Sequence, residues 1–531
     1  MTTQAAGAAS GARAGADARS LARSGLVNLL ASGGGQVFTF LMTVVVTRGL
    51  GARGAGAFFE VIGLFTILSN SVRLGADTGM VRAVASSRAL GALHELAPLV
   101  RAALWPVLLA GVAAGAATWA LAPLLTSVFL HGIDRSDGVS GIRLLAFFLP
   151  MVAVTIVALS GTRGFGTMLP YALIENLGKP LVRLVLVAVV VVAGLGTVAV
   201  LLAWAAPVAV GFVAALWVLL HQVRRAAAQA TTPPGAGASR ELVSRFWRFA
   251  APRGLAGIFQ ITVIWLDVLL VGALRSTREA GIYAAASRLA MVGGLVTEAV
   301  RIAIAPQISW LLARREHARV EGVYQVGTWW TMTLCWPLYL TLAVFGPVVL
   351  RIFGPEFVAG SSALLVLSLG MLFSLATGNV TVMLLMGGKS SWNLLNAAGA
   401  VILNIGLNLL LVPRIGITGA AFAWAASILF ENTAALIQLR ILLRLNPLGP
   451  GWWAAAGQSA LCYAGLGLLF WRLLGHTVPS LVLFVAVASA LYLWLVWRAR
   501  GVLQLDALRE AIRARRRGAT VADDPQEASA G

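Results

Sequence analysis

Leu184-Val185-Leu186-Val187-Ala188-Val189-Val190-Val191-Val192-Ala193 is followed, after Gly194-Leu195-Gly196, by Thr197-Val198-Ala199-Val200-Leu201-Leu202-Ala203-Trp204-Ala205-Ala206. No charged side chain interrupts either stretch. With their flanks they form two apolar segments, near 170–193 and 197–220, each long enough to cross about 30 Å of hydrocarbon. A glycine-bounded turn between such segments predicts a tight hairpin of two membrane-spanning helices, because lipid leaves a backbone no partner but itself.

Working outward, further apolar runs lie near 24–47, 55–74, 100–124, 141–161, 251–273, 281–305, 323–345, 361–386, 392–412, 416–438, 453–474 and 479–497. The sequence thus predicts an all-α polytopic membrane protein with about 14 transmembrane helices; twelve is the main competing count. Composition agrees. Of 531 residues 59% are hydrophobic and 11% charged, whereas a soluble domain keeps about a quarter charged so that water can wet it.

The net charge of +20 would suit a nucleic-acid binder, but the arginines sit between apolar runs and not on a soluble domain. With the N-terminus inside, basic residues sort roughly three to one in favour of the cytoplasm, which predicts both termini cytoplasmic and no nucleic-acid partner. Residues 1–23 have no apolar core, so they read as a cytoplasmic tail, and the first span is expected to insert as an uncleaved anchor. Residues 221–250, with Thr231-Thr232-Pro233-Pro234-Gly235, read as a cytoplasmic linker. Residues 498–531 form a basic cytoplasmic tail, where Leu505, Leu508 and Ile512 alternate with Arg509, Arg513 and Arg515.

The two halves echo each other. Ala55-Gly56-Ala57-Phe58 returns as Ala280-Gly281-Ile282-Tyr283, and Ala203-Trp204-Ala205-Ala206 returns as Ala423-Trp424-Ala425-Ala426. Gly196 with Gly416, and Asn176 with Asn396, keep the second offset. Each shift equals six spans, an even number, so the repeat is parallel. The expected architecture is an N-lobe over 24–220, a C-lobe over 251–438, and two appended helices over 453–497.

Thr47-Arg48-Gly49-Leu50-Gly51-Ala52-Arg53-Gly54-Ala55-Gly56-Ala57-Phe58 resembles the first hairpin of the polysaccharide transporters, the O-antigen and capsule flippases. Asn404-Ile405-Gly406-Leu407-Asn408, leading into Val412-Pro413-Arg414-Ile415-Gly416-Ile417-Thr418-Gly419-Ala420-Ala421, is similar to a later hairpin of the same family. The family belongs to the multidrug/oligosaccharidyl-lipid/polysaccharide (MOP) superfamily. The resemblance, over roughly 20–500, implies a flippase for a lipid-linked oligosaccharide carried on undecaprenyl pyrophosphate. It implies two six-helix lobes alternating access in the bacterial inner membrane, with polysaccharide-assembly proteins as partners.

Such work needs charge where lipid excludes it, and a charge at the bilayer centre costs about 2.5–3.5 kcal/mol or more. Ionisable residues inside the apolar runs are therefore the candidates. Arg73, Arg183, Arg288 and Arg301 are candidates for a pyrophosphate, since guanidinium binds phosphate through paired donors; Arg183 and Arg301 lie where topology alone also places them. Glu60, Asp267, Glu298 and Glu175 are candidates for a gate or for a coupling proton or sodium ion. The repeat offset sets Arg73 opposite Glu298 and brings Glu60 near the match of Arg288, which predicts two charge pairs across the lobes. Local pairing of each charge is the bland alternative, as interhelical hydrogen bonding is for Asn379, Asn393, Asn396, Asn404 and Asn408.

Other patterns carry little chemistry. Gly33-Gly34-Gly35 has no strand before it and no Lys after it, so it reads as a close helix contact and not a phosphate loop. The five histidines are scattered near loops, and Cys335 and Cys462 sit inside apolar runs as buried thiols. The sequence calls for no cofactor, no metal and no catalytic constellation. The rival functions are a cation-coupled multidrug antiporter, a peptidoglycan-precursor flippase, and, from another class, a membrane polysaccharide polymerase or ligase. Such an enzyme needs a large extracytoplasmic loop, and the longest here, near 125–140, offers only His131, Asp134 and Asp137.

Overall fold

The structure, a computed structural model, describes residues 2–229, 239–388 and 390–504. The proline-glycine part of the expected linker and the amphipathic tail residues from Leu505 onward lie outside the described residues. Every regular element among those described is helical. The first helices are α1 (Thr2–Ser71), α2 (Ala76–Ala89), α3 (Leu96–Phe129), α4 (Arg135–Gly164), α5 (Leu169–Tyr171) and α6 (Lys179–Val192). They are followed by α7 (Gly196–Ala227), α8 (Arg240–Leu274), α9 (Thr277–Ala290), α10 (Gly294–Ala313), α11 (His317–Leu350) and α12 (Ser361–Ala376). The last are α13 (Val380–Met386), α14 (Ser390–Ile415), α15 (Ile417–Leu443), α16 (Pro450–Ser459), α17 (Leu466–Leu474) and α18 (Val478–Arg498). Two π-helical segments, Ala172–Gly178 and Ala460–Gly465, carry α5 into α6 and α16 into α17.

Among the described residues, eleven helical segments are long and apolar enough to cross a membrane. The sequence expectation of about fourteen differs for physical reasons. The first segment, Leu30–Ala89, joins two apolar runs across Gly51 (φ 66°, ψ −178°). The runs near 170–193 and 281–305 are interrupted, one by the π segment before α6 and the other by the turn at Met291–Gly293.

The chain divides into two compact units. The first comprises Met1–Arg288, Leu350–Gly360 and Asn404–Ala423; the second comprises Leu289–Val349, Ser361–Leu403 and Trp424–Gly531. The first unit therefore takes in α8 and most of α9, where the sequence places the opening of the C-lobe. Its core interleaves Met80 of α2, Leu99 of α3, Val157 of α4, Leu219 of α7 and Phe246 of α8. Where α1 breaks at Gly51, the new helix start leaves the Ala52 N–H without an intrahelical acceptor. The Glu356 carboxylate takes it at 2.5 Å, and Arg278 stands 3.4 Å from the same carboxylate.

The two segments matched in the sequence touch in space. A Cβ on Gly56 would overlap the Thr277 carbonyl, and one on Gly281 would overlap the Ala52 carbonyl and the Gly56 backbone. The matched segments Ala55–Phe58 and Ala280–Tyr283 thus pack backbone to backbone, which only glycine at both positions allows. Their counterparts at the hairpins agree: Gly196 (φ 80°) and Gly416 (φ 60°) both turn in the left-handed region.

In the second unit α16, its π segment and α18 close over α11. The Tyr492 hydroxyl donates to the Thr333 carbonyl at 2.9 Å, and Tyr463, Phe345 and Phe484 fill the space beside it. Both cysteines are buried free thiols.

Gly56→Ala and Gly281→Ala are each expected to lower the melting temperature of the detergent-purified protein, at a cost of about 1–3 kcal/mol. Gly322→Ala and Gly406→Ala, whose added methyl would meet nothing within 4 Å, are expected to leave it unchanged or raise it. Equal melting for all four would refute the close approach.

Candidate functional site

Three helices of the first unit bring the candidate charges of the central region together. On α1, Glu60 is 1% exposed. Its Oε2 accepts from the Thr277 hydroxyl at 3.0 Å, while Oε1 lies against Gly272 with no hydrogen-bond partner. Thr277 opens α9, and its N–H donates to the His131 carbonyl at 3.1 Å. The His131 Nδ1 lies 3.1 Å from the Gly272 carbonyl, tying the loop after α3 to the same corner.

On α8, Asp267 is likewise 1% exposed. Asn408 of α14 donates to its Oδ1 at 2.7 Å, and Tyr283 of α9 donates to its Oδ2 at 3.0 Å. Asn404 lies one turn before Asn408, whose Nδ2 also donates to the Asn404 carbonyl at 2.9 Å, and the side-chain amide nitrogen of Asn404 is buried without a hydrogen-bond partner. The Oδ1 atoms of Asn404 and Asn408 are buried without a partner. A carboxylate taken out of water costs several kcal/mol unless its lone pairs are met. Here two helices, α14 and α9, each meet one oxygen.

Arg288, later on α9, sets its guanidinium 4.2 Å over the Trp265 ring and 5.8 Å from that of Phe59. Glu60, Asp267 and Arg288 therefore hang on one framework of α1, α8 and α9.

A second cluster belongs to α6. The helical run begins at Leu169, so Arg183 lies roughly 20 Å along it at 1.5 Å per residue. Its Nε donates to the Trp204 carbonyl at 2.8 Å, and its guanidinium lies 3.7 Å over the Trp204 ring. Glu175 pairs with Lys179, one turn on, and Lys179 is 8% exposed. The π segment carrying Glu175 is where Gly33-Gly34-Gly35 matter: a Cβ on Gly35 would overlap the Asn176 carbonyl. Asn176 donates to Asn28 and Ser32 of α1, both at 3.0 Å. π segments of this kind recur at functional sites.

Arg73 stands apart, 3.4 Å from Asp77 on the next turn. In the second unit Glu298 and Arg301 pair with each other, with Nε to Oε2 at 2.7 Å. Each of the four charges assigned to the Arg73–Glu298 and Glu60–Arg288 pairs thus has partners of its own. Glu298 lines a cavity of about 250 Å³ whose other polar walls are Thr297, Thr331, Ser374, Asn379, Thr381 and Asn432. It opens where two helices are interrupted, at Met291–Gly293 and at Thr377–Asn379. Asn396 and Gln438 exchange two hydrogen bonds of 2.8 Å in the same unit.

Sequence reasoning missed Lys179, Thr277 and Tyr283. Lys179 was legible as the i+4 neighbour of Glu175, and Tyr283 stands inside the repeated motif. Among the described residues no three His, Cys, Asp or Glu side chains gather as metal ligands do.

A family model described as polysaccharide biosynthesis protein matches residues 21–311. The chain belongs to that family. Agl15 of Haloferax volcanii, described as a probable low-salt glycan biosynthesis flippase, is 28% identical over 235 residues, 42% of this chain and 47% of the relative. The match spans about half the length of that curated relative. The lipid II flippase MurJ, in an inward closed conformation, superposes with TM-score 0.69 at 11% identity, over 90% of this chain and 100% of that one. A multidrug resistance MATE family transporter of the MOP superfamily, inward-facing, gives TM-score 0.63 at 15% identity, over 77% and 94%. At such identities the likeness is one of fold, and the fold is that of the MOP transporters.

Asn408→Leu strands a buried oxygen of Asp267 and is expected to cost about 1–3 kcal/mol in melting experiments. Asp267→Leu combined with Asn408→Leu is expected to recover part of that loss, because the stranded carboxylate oxygen is removed and only the Tyr283 hydroxyl loses its acceptor. Strictly additive losses would show that the two side chains are not coupled.

Proposed function

We propose that the protein is a flippase moving a lipid-linked oligosaccharide, carried on undecaprenyl pyrophosphate, across the bacterial inner membrane for cell-surface polysaccharide biosynthesis. It works by alternating access, with both termini in the cytoplasm and polysaccharide-assembly proteins beside it, and it catalyses no bond-breaking step. Family membership and the flippase relative support the class. The observation that carries the cargo's charge is Arg183, a guanidinium well inside an apolar helical run and held by a carbonyl and an indole face. Those partners are neutral, so the cation keeps its charge for an anion.

Arg183 and Arg288 are the leading phosphate ligands in this reading, with Arg73 and Arg301 as further stations. The hydroxyl and amide walls of the second unit's cavity suit sugar hydroxyls. Asp267, near the unpaired oxygens of Asn404 and Asn408, offers oxygen ligands of the kind a coupling sodium ion takes, or a single site for a proton. Glu60, its Oε1 unpartnered, is the second coupling candidate, and Glu298 and Glu175 act through their arginine and lysine neighbours.

Proteoliposomes given a fluorescent undecaprenyl-pyrophosphate oligosaccharide are expected to move it between leaflets, and Arg183→Gln and Arg288→Gln to slow that at least about tenfold, the loss of one charge-assisted bond. Asp267→Asn is expected to leave melting nearly unchanged while abolishing the response to an imposed ion gradient. Transport of ethidium without movement of the glycan lipid would overturn the flippase reading in favour of drug antiport.

A further inference from the structure

The first unit holds a second polar recess, built from none of the residues assigned to the cargo. It measures about 590 Å³ and lies between α2, the approach to α3, and the first turns of α8. The start of α8 is amphipathic. Leu242, Phe246 and Ala250 sink into the core beside Met80 and Leu99, and a Cβ on Gly79 would press into the Phe246 ring at 2.9 Å. The Trp247 indole donates to the Ala102 carbonyl at 3.3 Å and fixes the rotation of α8 on α3.

That rotation turns Arg245 and Arg248 into the recess, where they meet Arg82 of α2. The Arg82 guanidinium lies 4.1 Å over the Phe249 ring, and Arg253 lies 4.7 Å from the centre of the same ring. One aromatic side chain therefore gathers two cations beside two more. Among the described residues no carboxylate forms an ion pair with any of these four arginines; Glu95 and Glu241 stand on the wall without pairing to them. Like charges brought together without neutralisation repel, and an anion between them relieves the repulsion. Guanidinium forks, with the hydroxyls of Ser86 and Ser244 on the same wall, match the oxygens of a phosphate.

We infer that this recess binds a phosphate-bearing anion through Arg82, Arg245 and Arg248. Two sources supply that chemistry: the headgroup of an acidic phospholipid and a soluble nucleotide. Leu90, 77% exposed on the rim, gives an acyl chain an apolar neighbour and favours the lipid.

The full-length protein is reconstituted in nanodiscs of phosphatidylcholine, with or without phosphatidylglycerol, and extracted into neutral detergent for native mass spectrometry. Retained phosphatidylglycerol is expected in the unmodified protein and about tenfold less in R82Q/R245Q/R248Q, the loss of charge-assisted bonds. E95Q/E241Q is expected to retain more, a gain that a damaged fold would not produce. Should the triple variant fail to stay monodisperse, R245Q and R248Q singly, both at exposed side chains, carry the test. ADP bound in place of the lipid, with the same loss in the arginine variants, would support the phosphate chemistry and assign a soluble source. Equal retention by the unmodified protein and its arginine variants, with no ADP bound, would overturn the inference, and the glycan-transport assay would be untouched by that result.

Discussion

Hydrocarbon accepts no hydrogen bonds, and that constraint decides where each polar side chain of this chain can sit. A carboxylate inside a span must be met by donors from other helices, and those donors then fix how the helices rotate against one another. Asp267 shows the consequence: with Asn408 and Tyr283 on its two oxygens, α8, α9 and α14 have little freedom to turn without stranding a charge. The same rule places Thr277 on Glu60 and the Trp204 carbonyl on Arg183. Apolar packing brings the helices together, and these few polar contacts specify their register.

Such contacts need close approach, which small residues supply. Gly56 against Gly281 and Gly35 against the π segment bring backbones to distances that a methyl would forbid. The broken stretches serve the same end. Helix interruptions at Met291–Gly293 and Thr377–Asn379 stand beside a polar cavity, as non-helical backbone within a membrane must. Breaks and close contacts therefore mark the places where this chain trades helical regularity for polar surface.

This also explains which parts were legible in the sequence. Long apolar runs give helices by length alone, so the all-α membrane class follows from composition and spacing. The matching segments Ala55–Phe58 and Ala280–Tyr283 were legible too, and the structure places them against each other. The partners of the charges were not. Matching Arg73 with Glu298 by repeat offset says nothing about side-chain reach; Arg73, in the turn before α2, has Asp77 at hand, and Glu298 has Arg301 on the same helix. Asp267 stood out as a charge in a span, but its donors come from α9 and α14, distant in sequence, and only the helix rotations bring them to it. The number of crossings was blurred by Gly51 and the π segment before α6, which change the helix without changing hydropathy.

Two ways of holding a cation emerge, and they have different consequences. Arg73 and Arg301 sit against carboxylates, so each pair is close to neutral and a new anion must displace the old one. Arg183 rests on a carbonyl and an indole face. An aromatic face contributes up to about 2 kcal/mol when desolvated, and it does so through a quadrupole that leaves the net charge intact. A guanidinium held that way is positioned without an ion pair of its own, so in the proposed function a phosphate would gain its attraction without first breaking one. Arg82 and Arg253 on Phe249 repeat the device at the mouth of the second recess. Aromatic rings thus hold positive charge without neutralising it while carboxylates neutralise it, and in the proposed function that difference separates the arginines that would take a transient anionic guest from those that would not.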